Sequence, residues 1–263
     1  MTDDLLLRDD RDAIATLTLN NPAKLNALSD EMLAALQDEL DLLSQDRTIR
    51  VIVLKGEGKA FCAGHDLRQM TKGRQAPDGG KAYFQDLFAR CGRMMTTLPR
   101  LPQPVIAQVH GIATAAGCQL VSHCDLAIAA EGTRFGVNGV NVGLFCSTPM
   151  VGLSRNIPRK QAFEMLTTGN FLDAPRAAEL GLINRVVPPE ALEAETRALA
   201  TQIVGKLGRA VKIGKEAFYR QLEMGLSDAY TYTGDVMALN MMMDETAEGI
   251  AAFLEKRDPT WTQ

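Results

Sequence analysis

The chain of 263 residues carries 28 Lys and Arg against 32 Asp and Glu, a formal net charge of −4 at pH 7. Hydrophobic residues make up 46% and charged residues 23%, which is ordinary for a globular protein and excludes a disordered, collagen-like or coiled-coil chain. A slightly acidic chain has no overall attraction to phosphate backbones, so nucleic acid is not an expected partner. No uncharged apolar run approaches the length of a membrane span, so a membrane is not expected either.

The amino terminus and the cysteines indicate a compartment. Residues 1–4, MTDD, are acidic and are not followed by the segments of a secretory signal or a transit peptide. The five cysteines are odd in number and show no CxxC spacing, so neither a disulfide framework nor a zinc site is expected. These features predict a reduced, cytoplasmic protein without a metal.

Strands and helices alternate through the first part of the chain. Residues 13–19 have a period of two and residues 50–54 are a short β-branched run, so both are predicted strands. Ser29 is the predicted N-cap of a helix whose apolar stripe comprises Leu33, Leu36, Leu40 and Leu43. Further predictions are a surface loop at 71–81, helices at 83–98 and 115–122, and strands at 105–109 and 126–129.

The strand signals stop at residue 189, and 191–207, 211–224, 228–243 and 246–256 are predicted helices. Alternating strands and helices predict an α/β fold. The shift in composition divides the chain into a core, residues 1–199, and a C-terminal helical region, residues 200–263. The apolar stripes of this region have no sheet of their own to cover, which favours a closed oligomer.

Two loops of small residues each follow a strand and precede a helix start: residues 59–68, KAFCAGHDLR, and residues 110–119, HGIATAAGCQ. Helix starts carry unpaired N–H groups, and small side chains let a substrate oxygen approach them. Two such amides directed at one point would form an oxyanion hole, which stabilises the charge that develops when a carbon beside a carbonyl loses a proton or a carboxylate. The pattern alone leaves open that the small residues only allow tight packing.

These motifs resemble those of the enoyl-CoA hydratase/isomerase (crotonase) superfamily. The run 61–67, FCAGHDL, is similar to the family's first oxyanion loop, and the run 104–120, followed by Cys124 and Asp125, is similar to its second. The run 248–257, EGIAAFLEKR, resembles its terminal helix, so the resemblance covers nearly the whole chain. The run 139–149, GVNVGLFCSTP, is similar to one particular branch of the family.

The resemblance implies a spiral of ββα repeats with a C-terminal helical trimerisation region. It implies an acyl-CoA thioester as substrate, no cofactor beyond the coenzyme A of that substrate, and a homotrimer or dimer of trimers. The two oxyanion amides fall on the backbone of His65 and Ala116. The implied contacts with coenzyme A are Lys59, Ala63, Gly64, Asp66, Leu67, Arg68, Gly117 and, from a neighbouring subunit's tail, Lys256.

Two positions depart from the family's hydratases. Gln119 and Gly139 stand where those enzymes have the two glutamates that hold and split a water. An amide can orient a water but cannot exchange a proton with it, and glycine offers no group. A positioned acid or base typically contributes about 10²–10⁴ in rate, so strong hydratase activity is not expected. Restoring both glutamates is expected to recover part of it.

The remaining candidates for proton transfer are His65 and Cys146. Family decarboxylases of malonyl-type CoA esters also carry Gly-His-Asp in the first loop, and their tyrosine position matches Cys146. The reaction is left open between isomerisation, decarboxylation and slow hydration, and the alternative is a weakly catalytic or non-catalytic acyl-CoA binding protein. For Asp66 and Asp125, both beside strand–helix junctions, helix capping is the preferred role.

Overall fold

The computed structural model describes residues 4–261. The strands are β1 Leu6–Arg11, β2 Ile14–Leu19, β3 Val51–Gly56, β4 Val105–Val109, β5 Ile112–Thr114, β6 Leu126–Ala130, β7 Arg134–Gly136, β8 Leu172–Asp173 and β9 Arg185–Val187. The helices are α1 Asp30–Gln45, α2 Leu67–Gly73, α3 Lys81–Thr97, α4 Ala116–His123, α5 Pro149–Asn156, α6 Arg159–Thr168, α7 Ala174–Leu180, α8 Leu192–Val204, α9 Gly208–Gln221, α10 Leu226–Met241 and α11 Asp244–Glu255.

The strands form two sheets. A six-stranded sheet has the order β1-β2-β3-β4-β6-β9, in which β1 is antiparallel to β2 and the other neighbours are parallel. A three-stranded sheet has the order β5-β7-β8. Parallel neighbours need long crossover connections, which the helices supply. The predicted α/β fold is confirmed.

Strand β3 shows why the large sheet is buried on both faces. Its side chains alternate, so Ile52 and Leu54 enter the main core while Val51 and Val53 pack on the other side with Ala200 of α8. On the main-core face, α1 contributes the four predicted leucines and Met32, all buried. The hydroxyl of Ser29 accepts a hydrogen bond from the Met32 N–H at 3.2 Å, so the predicted N-cap is confirmed.

One strand was not predicted, and one predicted loop is shorter than expected. Strand β1 was not predicted, because it is an edge strand that is largely exposed and lacks apolar alternation. The predicted surface loop at 71–81 begins inside α2 and ends at the first residue of α3. None of the residues of α2 is buried, so the sequence had no apolar stripe to reveal it.

Asp125 does not cap a helix, contrary to the prediction. Its carboxylate accepts hydrogen bonds from the Val105 N–H at 2.6 Å, the Lys215 ammonium at 2.7 Å and the Tyr219 hydroxyl at 2.8 Å. Lys215 also donates to the carbonyls of Leu98 and Gln103. This buried cluster ties α9 to the start of β4, so the C-terminal region is anchored to the sheet by charge.

The C-terminal helices follow the predicted order, with boundaries within a few residues. The predicted division at residues 199 and 200 falls inside α8, which packs on the large sheet. Helix α10 buries none of its residues. Its exposed large hydrophobic side chains are Leu226, Tyr230, Met237, Leu239 and Met241.

Residues 4–261 contain no helix that combines the length and hydrophobicity of a bilayer span. The same residues bring no three His, Cys, Asp or Glu side chains together in a way that would hold a metal ion. The five cysteines are all reduced and buried.

The two small-residue loops run side by side along part of their length. The Phe61 N–H donates to the carbonyl of His110, and the Thr114 N–H donates to the carbonyl of Cys62 at 3.0 Å. A Cβ added to Gly117 would lie 2.2 Å from the Cys62 carbonyl oxygen. Backbone therefore packs directly on backbone here, and only glycine fits at the second position of α4.

We expect Gly117→Ala to lower the free energy of unfolding by at least about 1–3 kcal/mol, because the added methyl group meets a carbonyl that cannot move without breaking the paired segments. Gly92→Ala is the matched control, since Gly92 also lies in a helix and its added Cβ would meet nothing within 4 Å. That control should stabilise the protein by about 0.4–1 kcal/mol. Urea unfolding of both variants measures the difference, and equal midpoints would contradict the close approach.

Candidate active site

The backbone N–H groups of His65 and Ala116 belong to segments that pack against each other where the two loops meet. A Cβ added to Gly64 would lie 3.3 Å from the nitrogen of Ala116, which places the chain just before His65 against the first turn of α4. Among residues 4–261, neither the His65 N–H nor the Ala116 N–H finds an acceptor. The structure thus brings together both residues predicted to carry the oxyanion amides, with each donor unused.

Ala115 sets the start of α4 through an unusual backbone. Its φ of 50° and ψ of −119° lie in a region that favours glycine, at a cost of about 1–3 kcal/mol. Its N–H donates to the Gly136 carbonyl at 2.9 Å, and the neighbouring Thr114 hydroxyl donates to Asn138 at 2.6 Å. These two bonds fix the turn that presents the Ala116 N–H. No local sequence signal predicts these bonds, since the partners are more than twenty residues apart.

Gln119 lies one turn into α4 and is only 4% exposed. Its side-chain Oε1 is buried and has no hydrogen-bond donor within the described chain. Long helical side chains lean toward the helix N-terminus, here toward Ala116. The first predicted glutamate position therefore holds a carboxamide whose oxygen can accept a hydrogen bond but which cannot release or take up a proton near neutral pH.

Gly139 has no room for a side chain. An added Cβ would lie 2.3 Å from the Leu144 carbonyl oxygen and 2.9 Å from the Cys146 sulfur. The expectation that glutamate at both Gln119 and Gly139 would restore hydration is corrected here, because this contact opposes any side chain at position 139. The obstacle is backbone packing and not the φ of the glycine, which lies outside the left-handed region.

Cys146 and His65 differ in their suitability for proton transfer. Burial raises the pKa of the Cys146 thiol, which stays protonated near neutral pH. Burial lowers the pKa of the His65 imidazole, which is therefore neutral. The His65 Nδ1 lies 3.3 Å from the Leu28 carbonyl oxygen, the ring packs edge-on against Phe88, and Nε2 is buried without a partner in the described residues.

Asp66 has a structural role in this arrangement. Its carboxylate caps α2 by accepting hydrogen bonds from the N–H groups of Arg68 and Gln69, so the preferred capping role is confirmed. It also pairs with the Lys24 ammonium at 3.0 Å. Burial alone would raise the pKa of Asp66, but Lys24 and the two N–H groups lower it. No sequence pattern points to Lys24, because it lies 42 residues from its partner.

The predicted cations are exposed around the loops. Lys59 and Arg68 are both at the surface, and neither forms an ion pair with a carboxylate of the described chain. Leu67 is 57% exposed beside them. Lys256 follows α11 in the C-terminal tail and makes no hydrogen bond or ion pair with either loop within residues 4–261. Two positive groups are therefore available beside the two amides, and the third lies on a separate element.

Ala63 and Gly64 shape the first loop. The Ala63 N–H donates to the Leu25 carbonyl at 3.0 Å, and the Gly64 carbonyl accepts from Leu28 at 2.8 Å. Gly64 has a φ of 90°, which an L-residue rarely adopts. These contacts turn the chain so that the next N–H, that of His65, is left without an intramolecular acceptor.

Known proteins match the chain along nearly its whole length. The family model described as enoyl-CoA hydratase/isomerase matches residues 9–263. The enoyl-CoA hydratase domain-containing protein 3 of Xenopus laevis is 45% identical over 249 residues, which cover 95% of this chain and 83% of that protein.

Two solved structures superimpose closely on this chain. A crystal structure of an enoyl-CoA hydratase from Mycobacterium smegmatis is 54% identical with a TM-score of 0.95, and covers 99% of this chain and 100% of that one. The crystal structure of human enoyl-CoA hydratase domain-containing protein 3 is 41% identical with a TM-score of 0.93, and covers 98% and 100%. The branch predicted from residues 139–149 is confirmed by the two relatives of this name.

These relatives contradict the prediction of a cytoplasmic location. The relatives from Xenopus laevis, Mus musculus and Homo sapiens are all named mitochondrial. Reduced cysteines are compatible with any reducing compartment, so the cysteine count could not carry that conclusion.

The matches to the family model and to these relatives extend over both small-residue loops and the helical tail. The chain belongs to the enoyl-CoA hydratase/isomerase family.

Proposed function

We propose that the protein binds acyl-CoA thioesters with the thioester carbonyl oxygen on the N–H groups of His65 and Ala116. The observation that carries this proposal is that both donors lack an intramolecular acceptor and come from segments packed against each other at Gly64 and Ala116. Two fixed donors stabilise the negative oxygen of an enolate more than the neutral carbonyl, which is how such a site accelerates chemistry at the adjacent carbon. Membership of the family supports the thioester as the kind of substrate.

The same site is poorly equipped to add water to a double bond. Hydration needs a group that removes a proton from water and a group that delivers one to carbon. Gln119 cannot exchange a proton at neutral pH, and Gly139 has neither a side chain nor room for one. The Asp66 carboxylate is engaged by Lys24 and the start of α2. We infer that the protein binds acyl-CoA thioesters and stabilises their enolates, and that its hydratase activity is weak.

Decarboxylation of a malonyl-type CoA ester is the second candidate, and the missing acid–base groups favour it. In that reaction the bond between the α-carbon and the carboxylate breaks, its electron pair passes to the enolate oxygen, and CO₂ leaves. The enolate then takes a proton from water. No base is required to form it, so a site with two amides and no catalytic carboxylate suffices.

We expect native turnover of crotonyl-CoA at least ~10²-fold below the ~10 s⁻¹ that is typical of enzymes. Gln119→Glu replaces the carboxamide with a carboxylate of the same shape and should raise kcat/KM about tenfold or more. Gln119→Leu, which removes the polar group, is the control and should raise nothing. Steady-state absorbance assays measure all three, and ordinary turnover by the native protein would overturn the assignment of a weak hydratase.

We expect Lys59→Ala with Arg68→Ala to weaken the binding of coenzyme A at least tenfold and to flatten its dependence on salt, because both cations would act on phosphate by charge. Lys160→Ala, an exposed cation on α6 away from both loops, should change neither quantity. Calorimetric titration at two salt concentrations tests this. Unchanged affinity in the double variant would contradict the proposed position of the coenzyme.

We propose that the protein assembles as a homotrimer or a dimer of trimers through its C-terminal helices, with Lys256 reaching the coenzyme bound by a neighbouring subunit. Helix α10 supports this, since it buries no residue in the single chain and exposes several large hydrophobic side chains.

Light scattering at micromolar concentration should therefore give three or six times the mass of the chain. Met237→Asp, which puts a charge on a side chain 63% exposed in the single chain, should lower that mass without unfolding the core. Asp235→Asn on the same helix is the control. A monomeric native protein would contradict the proposed assembly.

A further inference from the structure

Ala115 is a strained residue in the second small-residue loop. Its φ of 50° and ψ of −119° are close to the mirror image of an extended conformation. Glycine adopts such angles freely, whereas the Cβ of an alanine crowds the neighbouring backbone there. A turn of this kind persists only where the surrounding structure holds it.

The direction of the Ala116 N–H depends on this turn. That N–H belongs to the planar peptide group that follows Ala115, so ψ of Ala115 sets its orientation. Rotation of ψ to about +47° would bring Ala115 into the left-handed helical region, which an alanine tolerates better. The same rotation would nearly reverse the peptide group. The strain at Ala115 therefore favours a state in which the Ala116 N–H points away from the first loop.

Backbone hydrogen bonds hold both sides of the turn. The Thr114 N–H donates to the Cys62 carbonyl at 3.0 Å, and the Ala115 N–H donates to the Gly136 carbonyl at 2.9 Å. On the other side, the Gln119 N–H donates to the Ala115 carbonyl at 3.0 Å, which is the first bond of α4. Because these bonds join backbone groups, they do not depend on which side chains residues 114 and 115 carry.

One further bond does depend on side chains. The Thr114 hydroxyl donates to Asn138 Oδ1 at 2.6 Å, a normal length for an O–H···O hydrogen bond. Within residues 4–261 it is the one side-chain hydrogen bond made by residues 114–116. Thr114 and Asn138 are both half-buried and belong to no hydrophobic core cluster. The bond therefore fastens the turn and adds little to the packing of the core.

Asn138 lies on a segment with a fixed path. Strand β7 runs parallel to β5, with Gly136 opposite Thr114 at the end of the ladder. Asn138 begins the short 3₁₀-helix Asn138–Val142 just after that end. The Gly139 carbonyl accepts from the Leu144 N–H at 2.9 Å, which closes the segment on itself. The amide of Asn138 is thus held beside the turn by its own backbone.

We propose that Asn138 is a positioning residue, which holds Thr114 and thereby keeps the Ala116 N–H directed at the thioester oxygen. This inference rests on the proposed function, because Asn138 acts through the Ala116 donor. The hydrogen bond to Thr114 opposes the strain of Ala115, so the donor is in place before the substrate oxygen becomes charged. A donor that needs no reorganisation stabilises an enolate most.

The test is infrared difference spectroscopy of bound butyryl-CoA that carries a heavy carbon isotope at its thioester carbonyl. Hydrogen-bond donation weakens a carbonyl bond and lowers its stretching frequency, so the native protein should shift this band below its position in water. Thr114→Val, which keeps the shape and removes the hydroxyl, should lose about half of the shift, since one of two donors is turned away. Asn138→Ala, which removes the acceptor, should do the same.

Thr196→Val is the matched control. It removes a hydroxyl that donates to the Leu192 carbonyl at 2.8 Å within α8, outside both loops, and it should keep the whole shift. All three variants should bind butyryl-CoA within about threefold of the native Kd, because a neutral carbonyl gains less from the donors than an enolate does. Retained binding also shows that each variant is folded.

Ala115→Gly added to Thr114→Val should restore the shift, because glycine adopts the angles of this turn without strain. A hydroxyl with a merely structural role predicts no such recovery. The full shift in Thr114→Val and Asn138→Ala, or no recovery with Ala115→Gly, would overturn the inference and leave the proposed function intact. A native protein that binds butyryl-CoA without any shift would overturn the proposed donors and this inference with them.

Discussion

The close packing of backbone on backbone between the segments 61–64 and 112–117 is the constraint on which the candidate active site depends. Gly117 lies against the Cys62 carbonyl, and Gly64 lies against the first turn of α4. These approaches are possible only because neither residue has a side chain. They bring the loop that carries the His65 N–H against the start of α4, which carries the Ala116 N–H. Neither N–H finds an acceptor among the described residues. A donor pair of this kind needs no reorganisation when an oxygen becomes charged.

The function we propose separates two roles that hydratases combine. One is the stabilisation of a charged oxygen, which we assign to the backbone N–H groups of His65 and Ala116. The other is proton transfer, for which Gln119, Gly139 and Cys146 offer no ionised group near neutral pH. Because amide donors come from the backbone, side-chain substitution removes the second function and leaves the first intact. On the function we propose, the protein would retain enolate chemistry while water addition slows.

The sequence predicted the elements whose signals are local. The leucine stripe of α1, its Ser29 cap and the buried strand β3 all follow from periodicity and capping. Edge strand β1 and helix α2 have exposed, charged sequences without such periodicity, so they were missed. The role of Asp125 was misjudged because its partners, Lys215 and Tyr219, lie about ninety residues away. At the site, motif resemblance predicted the two amides, which remain a prediction. The tight space around Gly139 depends on the path of residues 144–146, and only the structure showed it.

The most direct measurement of the central claim is a crystal structure with acetoacetyl-CoA bound. We predict that the thioester oxygen lies within about 2.7–3.2 Å of both backbone nitrogens, those of His65 and Ala116, with the adjacent carbon facing Gln119. A thioester whose oxygen contacts neither nitrogen, in a protein that still binds the coenzyme, would contradict it.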